Sequence, residues 1–185
     1  MIDLKDIDTF KVIDDFIPKE NQELVETMFT SGPLPWYIRN SVYDNNKDNA
    51  LVHCFIWDGH QHSESLDYLN DIFISNTNIE NGILRLRSVL TYNGEITTPH
   101  IDIPDREHFN CVYYVNDSDG DTILYEDDGE TEMVRVKPKK GRIVFFRGDI
   151  LHSAGIPQKS DYRIVVNLNI LSNSCLLYTS PSPRD

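Results

Sequence analysis

The sequence is poor in cysteine, in basic residues and in long apolar runs, and each shortage excludes a class of protein. Cys54, Cys111 and Cys175 are too few and too scattered for a disulfide framework. Without a Cys-x-x-Cys pair they offer neither structural zinc nor thioredoxin-like redox chemistry, and they read as structural thiols. Seventeen Lys and Arg stand against thirty Asp and Glu, a formal charge of -13. Such a chain repels phosphate backbones and anionic lipid surfaces, so no nucleic-acid partner is expected. Apolar runs such as Ile164 to Leu168 fall far short of the roughly 20 residues that cross a bilayer. Met1 to Lys5 opens onto acids rather than a signal-peptide block, so no membrane association is expected, and the cytoplasm is the expected compartment. What is present suffices for one domain: 185 residues, 39% apolar and 25% charged, with no visible internal repeat or linker.

The segment Cys175 to Asp185 has a different character. It resembles the translation of a transposase sequencing adapter and is expected to be a non-native tail, with the gene interrupted near Asn173. The expected domain is 1–174, with helical and edge-strand support over 1–82 and a jelly-roll core over 83–171.

Before residue 83 the patterning is helical in two places. Pro18 suits a first helical turn, and Ile17, Leu24, Val25, Met28 and Phe29 recur at helical spacing, with Gln22 and the charged residues facing water. This predicts a helix from Pro18 to Thr30, stopped by Gly32-Pro33-Leu34-Pro35. Leu51 to Trp57 reads as a strand, and Ser65 to Ser75 as a second amphipathic helix. From Ile83 onward short β segments alternate with turn residues, at the spacing of sandwiches and barrels. Eight are expected: Ile83 to Tyr92, Thr97 to Ile103, Phe109 to Asn116, Thr122 to Glu126, Glu132 to Lys137, Gly141 to Phe146, Ile150 to Ala154 and Tyr162 to Leu171. Helices followed by eight strands predict an α+β fold ending in a jelly roll.

The chemistry starts at His100 and Asp102, two apart on a predicted strand, so that both side chains leave one face. Alone the pair is weak, since chance supplies about 0.65 His-x-Asp pairs in a chain of this composition. His152, on the seventh predicted strand, adds a second imidazole. Two histidines and one carboxylate make the facial triad that holds non-haem Fe(II) with positions left open. In the last strand alternation puts Arg163, Val165, Asn167 and Asn169 on one face and Ile164, Val166, Leu168 and Ile170 on the other. The apolar face must pack on the helices, so Arg163 points into the barrel, where a buried charge must meet an anion. A planar fork suits a carboxylate. The competing reading pairs Arg163 with Asp102 in a structural salt bridge, which leaves the histidines unexplained. Asn110, Val112, Tyr114 and Asn116 share the inward face of the third strand, and Tyr92 is a second phenol within reach of the site.

Together, Leu90-Thr-Tyr-Asn-Gly, Pro99-His-Ile-Asp, Cys111-Val-Tyr-Tyr-Val-Asn, Gly141-Arg-Ile-Val-Phe-Phe, Leu151-His-Ser and Tyr162-Arg-Ile resemble the Fe(II)- and 2-oxoglutarate-dependent oxygenases, in their prolyl-hydroxylase-like branch. The resemblance covers most of Phe10 to Leu171 and implies a double-stranded β-helix. It implies His100, Asp102 and His152 as iron ligands and catalytic centre, and Arg163 as the grip on the distal carboxylate of 2-oxoglutarate. Tyr92 and Tyr114 match tyrosines that line the cosubstrate pocket, and Asn110 is a further cofactor-pocket candidate. The implied reaction consumes O2 and 2-oxoglutarate, releases succinate and CO2 and hydroxylates a peptidyl (prolyl-type) or small-molecule substrate, with ascorbate allowed as an accessory reductant. Retention of Asp102 favours hydroxylation over halogenation. Two other classes compete: a cupin-like metal enzyme such as an isomerase, and a non-catalytic binding domain.

Other signals carry less. Val115 to Glu126 nearly reproduces a calcium loop, but Val115 cannot ligate at the first position, so a β-turn with left-handed Gly120 is expected. His60 and His62 read as solvated loop residues, and Lys137-Pro-Lys-Lys140 as a solvated hairpin. Asn40 to Asn49 and Asp58 to Ser65 are the loops expected to contact substrate. Nothing in the sequence sets the oligomeric state.

Overall fold

The computed structural model describes residues 4–38, 49–73, 82–93 and 96–172. The tail, nearly all of the 40–49 loop and the end of the second predicted helix lie outside these residues. After a 3-10 turn at Leu4–Asp6 come β1 (Phe10–Ile13), α1 (Lys19–Thr30), β2 (Tyr37–Ile38), β3 (Asn49–Trp57), β4 (His60–Gln61) and α2 (Leu66–Phe73). The barrel strands follow: β5 (Ile83–Asn93), β6 (His108–Tyr114), β7 (Thr122–Tyr125), β8 (Glu132–Val136), β9 (Ile143–Arg147), β10 (His152–Ala154) and β11 (Arg163–Leu171).

Among the described residues these strands form two antiparallel sheets. The larger runs β1-β9-β6-β11-β5-β3-β2, with β4 on the edge of β3, and the smaller runs β10-β7-β8. The two-residue period of β11 explains why the large sheet carries a core on each of its faces. Ile164, Val166, Leu168 and Ile170 pack with Val25 and Phe29 of α1 and Leu69 of α2. Val165, facing the other way, packs with Val89, Val112 and Tyr114 of the large sheet and Leu124 and Val136 of the small one. The fold is the expected double-stranded β-helix, and the second core forms its lining.

Four expectations change. Thr97 to Ile103 is no strand: its one β-bridge is His100 to His152, joined by a Thr97 N–H to Ala154 carbonyl bond at 3.2 Å, because Pro99 and Pro104 remove ladder donors on either side. On α1 it is Gln22, not Leu24, that is buried: Leu24 is 47% exposed. The Gln22 amide donates to the Ile17 carbonyl at 2.9 Å. A Cβ on Gly141, whose φ is +79°, would come within 2.4 Å of that side chain, so a polar group closes the helix against a tight turn. Gly120 does not take positive φ. It is needed for space, since a Cβ there would lie 2.7 Å from the Gly155 oxygen and 3.1 Å from the Arg163 Cδ. The basic hairpin is ion-paired rather than solvated: Lys140 bridges Glu23 and Glu26 of α1, each at 2.6 Å, and Lys139 meets Asp14 at 2.9 Å.

Phe55 sits fully buried in the helix-facing core, edge-on to Phe29 at 6.2 Å between ring centroids. Phe55→Ala is expected to destabilise by about 3–5 kcal/mol, and Tyr68→Ala, at a position 56% exposed, by less than about 0.5 kcal/mol. Urea unfolding monitored by circular dichroism measures both.

Candidate metal centre and cosubstrate pocket

The bridge between His100 and His152 does what a longer strand was expected to do. Each residue's N–H donates to the other's carbonyl, at 3.0 and 3.1 Å, and their rings lie 4.7 Å apart between centroids. A bend after His100 then brings in Asp102. The His100 Nε2 is 3.8 Å from one Asp102 oxygen and the His152 Nε2 is 3.8 Å from the other. One ligand atom from each of the three lies within 4.8 Å of the others.

The rings are oriented by their backbones. The His100 Nδ1 bonds the Thr98 carbonyl at 2.8 Å and the His152 Nδ1 bonds the Ile150 carbonyl at 3.2 Å. A carbonyl only accepts, so each Nδ1 carries the proton and each Nε2 presents its lone pair, the arrangement a metal needs. Burial pushes His152 down to about 4 against the pull of Asp102, so this imidazole is neutral at pH 7. Burial works to raise the Asp102 carboxyl, but His152, Arg85 and Arg87 together outweigh it and hold the group well below the usual carboxylate range. A neutral imidazole beside an ionised carboxylate is the protonation state that binds a divalent cation. The donor set fits Fe(II).

Arg163 opens β11 beneath the same pocket, 2% exposed. Among the described residues no carboxylate lies within 4.0 Å of it. Its Nη2 donates to the Thr122 hydroxyl at 2.9 Å, and its guanidinium lies over the Tyr114 ring at 5.6 Å. The Nε has no hydrogen-bond partner among the described residues, and Asp121 acts on the charge only from farther away. The competing Asp102–Arg163 pair does not form. Thr122, which Arg163 binds, pairs with Ala154, two residues on from His152, a step of about 7 Å along a strand. A buried, incompletely bonded guanidinium at that remove from the triad fits a dicarboxylate anchored at both ends.

The remaining candidates divide. Asn110 is 2% exposed and lines the pocket with a side-chain N–H that lacks a partner among the described residues. Tyr114 is fully buried, but its hydroxyl goes to Thr122 at 2.7 Å, so it supports Arg163 from behind rather than lining the cavity. Tyr92 is misplaced. It is 49% exposed, because alternation on β5 turns Arg87, Val89 and Thr91 toward the pocket and the even-numbered residues away. Thr91 occupies the position expected for the phenol.

Three residues were not anticipated as parts of the site. The Arg85 Nη2 lies 2.6 Å from Asp102 Oδ1, and the Arg87 Nη2 is 3.7 Å from the same oxygen. Asn169 donates to the other Asp102 oxygen at 3.1 Å and accepts from the Arg85 Nε at 2.8 Å. Strict alternation along β5 puts Arg85 and Arg87 on the pocket face and Tyr92 off it, a signal that the sequence carries.

Residues 87–171 match the model of the 2OG-Fe(II) oxygenase superfamily, the segment that contains His100, Asp102, His152 and Arg163. The match spans just under half of the chain and marks its similarity to the 2-oxoglutarate-dependent oxygenases, enzymes that use Fe(II), 2-oxoglutarate and O2. Solved structures agree on the fold. A prolyl-4-hydroxylase of Pseudomonas putida aligns over 89% of this chain and 93% of its own, at 16% identity and a TM-score of 0.60. An oxidoreductase of the 2OG-Fe(II) oxygenase family from Burkholderia pseudomallei covers 87% and 84%, at 14% identity and 0.66. The α-ketoglutarate-dependent epimerase SnoN of nogalamycin biosynthesis covers 96% and 88%, at 13% identity and 0.62. No curated protein matches the chain in sequence.

Proposed function

We propose that this enzyme hydroxylates a peptidyl or small-molecule substrate, with His100, Asp102 and His152 holding Fe(II) and Arg163 binding the distal carboxylate of 2-oxoglutarate. Iron and 2-oxoglutarate, when bound, would supply the oxidative chemistry, with succinate and CO2 as the co-products. The chain's own part is to orient and to seal. The Thr98 and Ile150 carbonyls fix both rings, Thr122 and Tyr114 fix the arginine fork, and the core between the sheets excludes water. The observation that carries the reading is the buried Arg163, without a carboxylate partner among the described residues, in the pocket that the triad also lines. A cupin-like isomerase or a purely structural domain has no use for a cation so placed, since burying it unpaired costs several kcal/mol. The likeness to the P. putida prolyl-4-hydroxylase supports a peptidyl substrate, and that to SnoN a small molecule.

The decisive experiment measures succinate release from 2-oxoglutarate with Fe(II) and O2, without added substrate. Slow uncoupled turnover is expected in the wild type and none in His152→Ala. Equal release by both proteins would remove His152 from the centre.

A further inference from the structure

We infer that Arg85 and Arg87 are positioning residues that hold the bound iron in its ferrous state, by setting two fixed positive charges against the one carboxylate that the histidines share. This rests on the reading of His100, Asp102 and His152 as the iron ligands. The two arginines are consecutive inward positions of β5, and both reach the same atom, Asp102 Oδ1. Arg85 cannot swing away. It is 5% exposed, its Nε is held by Asn169 at 2.8 Å, and its guanidinium lies 6.0 Å from the Trp57 ring. Asn169 closes the circuit through the second Asp102 oxygen and also donates to Asn110. The carboxylate is thereby held at both oxygens before any metal arrives. Orientation alone would need only neutral donors, such as Asn169 itself, so two guanidiniums on a single acid are an excess of positive charge at the ligand set.

That excess has a direction. One-electron loss to dioxygen, which yields superoxide, raises the charge of the bound ion from two to three. Fixed cations a few ångströms away oppose each added positive charge, strongly so where water is excluded. Donation from a guanidinium also draws electron density from the carboxylate and weakens it as a donor to the higher oxidation state. Both effects raise the potential of the Fe(III)/Fe(II) couple and protect the resting enzyme from idle oxidation while no substrate is bound.

The test compares wild type with Arg85→Gln, Arg87→Gln and the two Lys variants, each loaded with Fe(II) under anaerobic conditions. Mediated spectroelectrochemical titration gives the potential, air exposure without substrate gives the oxidation rate, and Co(II) calorimetry checks that the site still binds a metal. Both Gln variants are expected to have a lowered potential and to oxidise about tenfold faster in air, and the Lys variants, which keep the charge, to stay near wild type. A clamp that acts only through geometry would be impaired by Lys as much as by Gln and would leave the potential in place. Should Arg85→Gln fail to fold, Arg87→Gln carries the test, because the Arg87 side chain is 14% exposed and stands 3.7 Å from the acid. Unchanged or raised potentials in the metal-loaded Gln variants overturn the inference and leave the ligand assignment intact. A wild type that binds neither Fe(II) nor Co(II) overturns both.

Discussion

Arg163→Met is expected to raise the KM for 2-oxoglutarate by roughly 30- to 1,000-fold while leaving the metal-free protein at least as stable as wild type. The first half follows from the pocket. With the fork gone, the distal carboxylate of the cosubstrate would enter a buried space without a cation, and losing one partner of a buried charge pair costs about 2–4 kcal/mol or more. The second half follows from the missing acid. Arg163 has Thr122 and the Tyr114 ring but no carboxylate within ion-pair distance among the described residues, so its desolvation is poorly compensated in the unliganded protein. An apolar side chain of similar length removes that burden. Arg163→Lys keeps the charge and loses the planar fork, and it should fall between the two. Succinate release titrated against 2-oxoglutarate gives the KM, and thermal melts in chelator give the stability. A KM within about twofold of wild type in Arg163→Met would exclude this residue from cosubstrate binding.

How much of this was legible in the sequence depends on whether local pattern or tertiary partner decides. The last strand was readable because its alternation is strict: four aliphatic residues on one face leave Arg163 with nowhere to go but inward. His100 and Asp102 were found through a wrong premise. They were placed on a strand, whereas a two-residue bridge and a bend bring them together, and spacing alone does not tell these apart. Tyr92 failed because resemblance in a motif fixes residue type but not register, and a one-residue difference on a strand reverses the facing side. The true cationic partners of Asp102, Arg85 and Arg87, were missed for another reason. Arg163 was considered because it is the isolated cation of an apolar strand, while Arg85 and Arg87 sit in a strand that mixes leucine with arginine and were not assigned a face. Gln22 shows the same limit on α1, since a buried amide becomes predictable only when the turn at Gly141 that receives it is known.

The Arg85–Asp102 ion pair leads to the second large effect. In Asp102→Ala two losses are expected together. Metal binding falls because the carboxylate is the anionic member of the triad; Mn(II) or Co(II) affinity should drop at least about 100-fold. Stability falls in the metal-free protein as well, because Arg85 is left buried opposite a methyl group, and breaking a buried pair by removing one partner costs about 3–5 kcal/mol. In a chain of this size that corresponds to a melting shift of roughly 6–20 °C. The two losses separate in a double variant. Asp102→Ala with Arg85→Met removes both charges, so most of the stability should return while metal affinity stays lost. His152→Ala provides the complement, since it removes a ligand without stranding Arg85 and should lose metal with a smaller shift in the metal-free melt. All four proteins are compared in chelator and then with added Mn(II), because bound metal would itself raise the melting temperature and mask the pair. Metal affinity retained in Asp102→Ala would remove the carboxylate from the ligand set, and equal melts for the single and double variants would show that Asp102 is not what makes a buried Arg85 tolerable.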